Sequence, residues 1–392
     1  MAKRIYSGIN NLAENSDKIY YGVNNIARKV VRAYYGDESN IARMVFDNLP
    51  KIYGVSWNKS SSTSMTRTDL AADFNDPSIA TGTGSGSSPF DTVYPWSNIR
   101  KVTDGNNVLV EIPKFWYKIT NSTSAFTIQI SDKETKGFYV SPMHADRGDG
   151  VGERDVAYIG RYKCASSTYY SKSGQTVQRS MTRATARSKI AALGTGYYQF
   201  DYAAFWTLRL LYLVEFADWD ASSMIEKTGT ASFTLATYTS GLTDSMTYHT
   251  GVNSDGTNAQ YRYVEDPWYN ILEWVDGIYF TSANAVYCIN NPSKFSDSSN
   301  GTKIGTRPTS DGYIKDWTVP NVSGYEYALW PSSISSSVGY IAVYYYPESG
   351  TVLYTGGYIK HYSQHGPFFL YTDFTASSTS SSIGTRLMKL PS

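Results

Sequence analysis

The sequence predicts an α+β protein, rich in short strands and loops and carrying two helices. Three observations point there. Tyr occurs 35 times in 392 residues, Ser, Thr and Gly are plentiful, and leucine-rich helical segments are few. Two adjacent segments, 182–193 and 202–218, have helical spacing. The other apolar runs are short and bounded by Gly, Pro, Asn and Ser, which read as strands between turns. Two neighbouring helices in such a chain favour an α+β domain over a sandwich or a β-helix.

The first 46 residues contain a repeat of about 14 residues. Ile5-Tyr6-Ser7-Gly8-Ile9-Asn10-Asn11-Leu12-Ala13 recurs as Ile19-Tyr20-Tyr21-Gly22-Val23-Asn24-Asn25-Ile26-Ala27, and again from Ala33-Tyr34-Tyr35-Gly36 to Asn40-Ile41-Ala42-Arg43. Each unit reads as strand, Asn-rich turn, strand, because Asn tolerates the left-handed backbone of tight hairpins. Units this small cannot bury a core alone. Residues 1–48 are therefore expected to be a β-repeat attachment or assembly module, and residues 49–392 the main domain.

From Lys51 the composition changes. Tyr53 to Trp57 predicts a strand, and the Ser/Thr/Gly-rich stretch through Ser88 predicts a long loop. Strands are expected at Val108 to Pro113, Phe115 to Ile119, Phe126 to Ile130 and Gly137 to Val140. The helix over 182–193 places Ala184, Ala186, Ile190 and Leu193 on helical spacing, with Gly194 as its stop. The helix over 202–218 carries Phe205, Leu208, Leu211, Tyr212, Val214 and Phe216, a pattern apolar enough to be central and buried. From about Thr228 onward, short strands and long loops are expected.

A net charge of +1 without a Lys/Arg run argues against nucleic-acid binding by phosphate neutralisation. Cys164 and Cys288 form neither a disulfide framework nor a metal-site pattern, and unpaired core thiols are expected. Met1 to Ile5 lacks the apolar core of a secretory signal, and no segment approaches the roughly 18 apolar residues of a membrane span.

The last fifty residues are the most distinctive. Tyr344, Tyr345 and Tyr346 precede Gly356-Gly357-Tyr358, then a loop in which His361 and His365 stand beside Tyr362, Phe368, Phe369 and Tyr371. Flat amphipathic rings among Ser, Gly and Gln are how a recognition surface is built. Tyr344, Tyr346, Tyr358, Lys360, His361, Tyr362, Gln364, His365, Phe369, Tyr371 and Asp373 are the candidate ligand contacts. Phe368, Phe369 and Leu370 are expected to fill core in part.

Catalysis finds less support. A glycosidase needs two converging carboxylates, and Glu265/Asp266 and Glu273/Asp276 are candidates only by proximity in sequence. His144 and His249 are isolated and read as surface or satisfied polar residues rather than partners of a nucleophile. The Asp146-Arg147-Gly148-Asp149-Gly150 turn is oxygen-rich enough to suit a structural calcium but is not an EF-hand. Neither an enzymatic role nor a further cofactor is expected.

Two motifs carry a family resemblance. Trp268-Tyr269-Asn270-Ile271-Leu272-Glu273-Trp274-Val275-Asp276-Gly277-Ile278-Tyr279 is similar to the "N-V-W-E-W-V-x-D-x-Y" signature of the formylglycine-generating-enzyme-like branch of the C-type lectin fold. Gly356-Gly357-Tyr358 followed by Ile383-Gly384-Thr385-Arg386-Leu387 resembles that branch's "G-G-S-W … G-F-R" ending. The region between, about residues 340–385, corresponds to the variable ligand-binding face of diversity-generating-retroelement proteins of phages. Ser88-Pro89-Phe90-Asp91, Tyr94-Pro95-Trp96, Ile112 to Tyr117, Arg147 to Gly150, Glu215 to Trp219 and the N-terminal repeat resemble tail-tip proteins of phages and prophages of Gram-positive gut bacteria.

The resemblance implies a phage receptor-binding protein. It would be made in the host cytoplasm without a signal peptide, carried on the virion tail, and bound to other tail proteins, with a homotrimer by analogy. The host ligand would be a surface glycan or protein. The copper-oxidase activity of the formylglycine-generating enzyme does not transfer, because residues 289–392 lack cysteine. Residues 351–382 also lack Asn, which diversified regions often contain. Tyr, His, Asp, Ser and Phe are reachable from randomised Asn codons, so a diversified copy and a fixed site both fit. Trp268 and Trp274 are expected to anchor core, and Asn270, Glu273 and Asp276 complete the motif. Glu273 and Asp276 would tie loop amides or bind a cation. Gly356, Gly357 and Gly384 would serve close approach or positive φ, and Arg386 would clamp the terminal strand to a carboxylate. A tail hydrolase of surface polysaccharide and a purely structural tail protein are the rival readings.

Overall fold

A computed structural model describes residues 19–23, 26–30, 32–36, 42–47, 49–59, 62–225, 238–337, 344–347, 351–357 and 366–392. The chain divides into two compact units, Met1–Lys51 and Ile52–Ser392. In the first unit Ile19–Val23 pairs antiparallel with Ile26–Val30, and Arg32–Gly36 pairs with Ala42–Asp47. The first copy of the repeat lies outside the described residues.

The second unit is sheet-rich α+β. One five-stranded sheet runs in the order Tyr139–Val140, Trp116–Asn121, Ala125–Ser131, Ile52–Asn58, Thr66–Asp69. Its strands alternate: Phe126, Ile128 and Ile130 are buried while Ala125, Thr127 and Gln129 are half-exposed, the pleat of a sheet with one face on the core. Thr66–Asp69 lies within the stretch expected to be loop. Its sequence Thr-Arg-Thr-Asp has no apolar alternation to reveal it, and it is held by pairing on one side only, as an edge strand on Ile52–Asn58. The expected strand at 137–140 shrinks to Tyr139–Val140, because Gly137 takes φ +81° in the turn before it.

A second five-stranded sheet has the order Tyr197–Gln199, Leu387–Lys389, Val156–Gly160, Asn107–Pro113, Arg100–Asp104. A four-stranded sheet joins Val264–Glu265, Ala259–Tyr261, Gly251–Val252 and Ala80–Thr81. The largest sheet is built around Leu272–Phe280, whose nine residues are all buried. That strand pairs with Ala285–Cys288, with Val352–Thr355 and in parallel with Ile383–Gly384. From Val352–Thr355 the sheet continues through Leu370–Tyr371, Tyr344–Tyr346, Gly312–Thr318 and Trp330–Ser335.

Helix α1, Arg183–Ala191, starts where the Thr182 side chain accepts from the Thr185 amide. It ends before the expected Leu193, with Ala192 as cap. Helix α2, Tyr202–Phe216, starts at Asp201, whose carboxylate accepts from the Ala204 amide at 2.8 Å. It ends where Ala217 turns left-handed at φ 54°. All fifteen residues of α2 are buried. Its Trp206 joins Trp219, Trp317 and Phe368 in a cluster of edge-on, stacked and tilted ring contacts at 5.0–6.3 Å between centroids.

The ends of α2 are tied by charge. Glu215 accepts from Arg262 Nη2 (2.5 Å) and Nε (3.0 Å), from Ser88 Oγ (2.8 Å) and from the Tyr261 hydroxyl (3.0 Å). Arg262 also pairs with Asp91 at 2.9 Å, and His249 Nε2 lies 2.8 Å from the same carboxylate. Asp91 closes a capping box with Ser88. The Ser88-Pro89-Phe90-Asp91 and Glu215 to Trp219 motifs, far apart in sequence, are thus two halves of one polar clasp.

Candidate functional site

The candidate face is built on the largest sheet, where neighbouring strands put aromatic residues in register. Tyr346 pairs with Tyr371, Tyr371 with Tyr354, and Tyr354 with Trp274. The Tyr346 and Tyr371 rings lie 5.2 Å apart, the Tyr371 and Tyr354 rings 4.7 Å, and both pairs are parallel to within 2°. Trp274 closes the row edge-on at 5.7 Å. On the other side Tyr344 lies 4.7 Å from Tyr346 and 5.1 Å, edge-on, from Tyr313. The row therefore descends from a fully buried indole to half-exposed phenols, since Tyr344, Tyr346 and Tyr371 are half-buried and Tyr354 and Trp274 are buried.

Tyr345 points to the opposite side of its strand and is buried 5.8 Å from Trp330. The Tyr344 hydroxyl donates to Asp311 at 2.8 Å, and that bond with partial burial pushes its pKa up to about 12. Burial pushes the Tyr371 hydroxyl up as well. Asp373 follows, half-buried, and among the described residues its Oδ1 is buried without a hydrogen-bond partner. Phe369 corrects an expectation: it is 1% exposed, lying 4.5 Å from Tyr371, and serves the core rather than a ligand. Tyr358, Lys360, His361, Tyr362, Gln364 and His365 lie outside the described residues.

Beneath this face the Glu273–Trp274 and Gly384-Thr385-Arg386 motifs meet. Arg386 Nη2 and Nε donate to the Glu273 carboxylate at 2.8 and 3.2 Å, and its Nη groups also donate to the carbonyls of Gly160, Arg161 and Glu265 at 2.8–2.9 Å. Lys163 Nζ donates to Glu273 and to the Asp266 carbonyl. All three side chains are 1–3% exposed. Burial raises the Glu273 pKa, but Arg386 and Lys163 outweigh it, so the carboxyl lies below its usual range. The expected clamp on the terminal strand is thus a buried triad, and Lys163 is a member that spacing alone gave no means of finding.

The other motif residues are also structural. The Trp274 indole donates to the Met181 carbonyl at 3.1 Å. Trp268 packs among Tyr212, Tyr261 and Tyr269. Asn270, left-handed at φ 64°, donates to Asp266 at 2.7 Å. Asp276 accepts from Arg187 through both oxygens, at 2.6 and 2.8 Å. Gly356 takes φ +93°, Gly357 is buried, and a Cβ on Gly384 would sit 3.1 Å from Ile271 and 3.2 Å from the Gln178 carbonyl. That close approach is what the glycine permits.

The candidate catalytic carboxylates are occupied by the protein itself. Glu265 accepts from the amides of Gly241 (2.8 Å) and Thr243 (2.9 Å), while burial and then the neighbouring Asp266 charge raise its pKa. Asp266 accepts from the Tyr238 hydroxyl, Asn258, Asn270 and the Ala259 amide at 2.5–2.9 Å. Arg147 of the Arg-Gly-Asp turn faces inward to Asp201 at 2.5 Å, and Asp149 pairs with Arg154 at 2.6 Å. Among the described residues no group of three or more His, Cys, Asp or Glu is placed to hold a metal ion. Cys164 and Cys288 are free and buried, and burial pushes both thiols up.

His144 is fully buried, its Nε2 2.9 Å from the Ile112 carbonyl and its Nδ1 2.7 Å from Ser141 Oγ. A carbonyl only accepts, so Nε2 carries the proton and Nδ1 accepts from the serine. Burial pushes this imidazole down to about 4. On acidification the unfolded chain is protonated first, so stability falls as pH drops from roughly 6.5 to about 4. Urea unfolding across this range should show the wild type losing about 3 kcal/mol more than His144→Gln.

No protein-family model matches the chain, and no curated protein matches it significantly. Among the described residues no helix is long and apolar enough to cross a membrane.

Proposed function

We propose that the chain is a phage or prophage tail-tip receptor-binding protein, not an enzyme, whose main domain has the C-type-lectin-like fold of the formylglycine-generating-enzyme branch. Its tyrosine face recognises a glycan or protein of the host surface, the N-terminal repeats dock it to other tail proteins, and copies assemble as a trimer on the virion. The observation that carries this reading is the Tyr344, Tyr346, Tyr371 row, half-exposed and held rigid by stacking from Tyr354 and Trp274. Rings already ordered lose little entropy when a ligand arrives. Several copies on one tail would turn weak single sites into firm attachment.

Adhesion of purified, labelled protein to a panel of Gram-positive gut bacteria tests the proposal. At least one strain should bind, and the folded triple variant Tyr344→Ala, Tyr346→Ala, Tyr371→Ala should lose that binding. Undiminished adhesion by the folded variant would refute the site, and no adhesion by the wild type to any strain would refute the function.

A further inference from the structure

The sheet that contains Leu387–Lys389 has a second surface of a different character. Val110, Ile159 and Met388 face the main core, whereas their neighbours Glu111, Tyr158 and Lys389 line an open cleft of about 450 Å³ on the other side. The register aligns one residue from every strand: Arg100 with Glu111, Glu111 with Tyr158, Tyr158 with Lys389, and Lys389 with Tyr197. A single row of polar and aromatic side chains therefore crosses all five strands.

The charges in this row are balanced in pairs. Arg100 Nε lies 2.8 Å from Glu111 Oε1, and Lys389 pairs with Asp104. The Tyr197 hydroxyl also donates to Asp104, at 2.5 Å, and both contacts fall on Oδ2, so Oδ1 still offers its lone pairs. Asp104 is 39% exposed and Lys389 25% at the side chain. A charged ligand would have to compete with an existing partner for either group. A hydroxyl can donate to the carboxylate and accept from the ammonium without separating them. Tyr158, with Val102 and Leu109 beside it in the lining, supplies the apolar wall that the carbon face of a sugar ring requires.

We propose that this cleft is a saccharide subsite, selective for neutral rings, in which Tyr158 is the platform and Asp104 and Lys389 read adjacent hydroxyls. The volume falls within the range of about 300–1,000 Å³ common for small-ligand sites. The inference stands on a different sheet from the tyrosine row and does not depend on the receptor-binding proposal.

Saturation-transfer NMR on the full chain tests it, with glucose, galactose, mannose and N-acetylglucosamine at millimolar concentration and glucuronate and glucosamine as charged comparators. At least one neutral sugar should bind in preference to both comparators. Tyr158→Ala and Asp104→Ala should each weaken that binding about tenfold or more, while Tyr344→Ala leaves it unchanged. Should Tyr158→Ala fail to fold, Asp104→Asn, which preserves shape but removes the carboxylate that reads the hydroxyl, carries the same expectation. Absence of neutral-sugar binding, preference for a charged sugar, or full binding by the folded cleft variants would overturn the proposal.

Discussion

Glu273→Ala is expected to cost about 3–5 kcal/mol of folding stability, enough to consume much of a typical domain's margin. The size follows from what is left behind. Arg386 and Lys163 are 1–2% exposed at the side chain and share this one carboxylate. Without it two cations remain in the interior, and the Arg386 fork keeps only its carbonyl partners. Glu273→Gln retains the shape and one acceptor, so it should lie between the wild type and the alanine variant. Urea unfolding of the purified proteins measures both. A loss below about 1 kcal/mol in the alanine variant would show that the triad contributes little.

Asp276→Ala should cost about 3 kcal/mol, for a related reason. The carboxylate is fully buried and accepts from both Arg187 nitrogens and from the Gly277 amide at 2.9 Å. Arg183, itself fully buried, lies 3.9 Å away and donates to the Val275 and Ile278 carbonyls. Helix α1 is therefore fastened to the Leu272–Phe280 strand by charge. Arg187→Ala should cost less, about 1 kcal/mol, because its side chain is 22% exposed and Arg183, 3.9 Å from Asp276, still faces the carboxylate left behind. A double-mutant cycle between Asp276 and Arg187 would report their coupling directly, and additivity would sink the assignment.

Much of the fold was legible because its signals are local. Thr182 and Asp201 announce helix starts, and the unbroken apolar character of 202–216 announces burial on every side. The strand near 128 alternates visibly, and those near 53, 109 and 117 are short apolar and aromatic runs. Thr66–Asp69 was hidden because an exposed edge strand needs no apolar face. Leu272–Phe280 reads as a motif rather than as a nine-residue strand, since a strand covered on both faces loses the period of two. In the candidate site, the aromatic character of residues 344–346 and 371 could be read directly. Their parallel stacking depends on register between strands that sequence does not specify. Phe369 was placed on the ligand face because a ring near Tyr371 in sequence looks alike whether it is covered or not, and here it is 1% exposed.

The placement of Leu387–Lys389 has a consequence for biosynthesis. This strand occupies an interior position, flanked by Val156–Gly160 and Tyr197–Gln199. Arg386, just before it, bonds the Gly160 carbonyl across 226 residues of chain. Translation therefore delivers the wedge of this sheet after all the segments it must join, and those segments wait on the ribosome with an open seam. Closure of the domain becomes a late, long-range event, and the waiting intermediate is the species most in need of chaperone shelter.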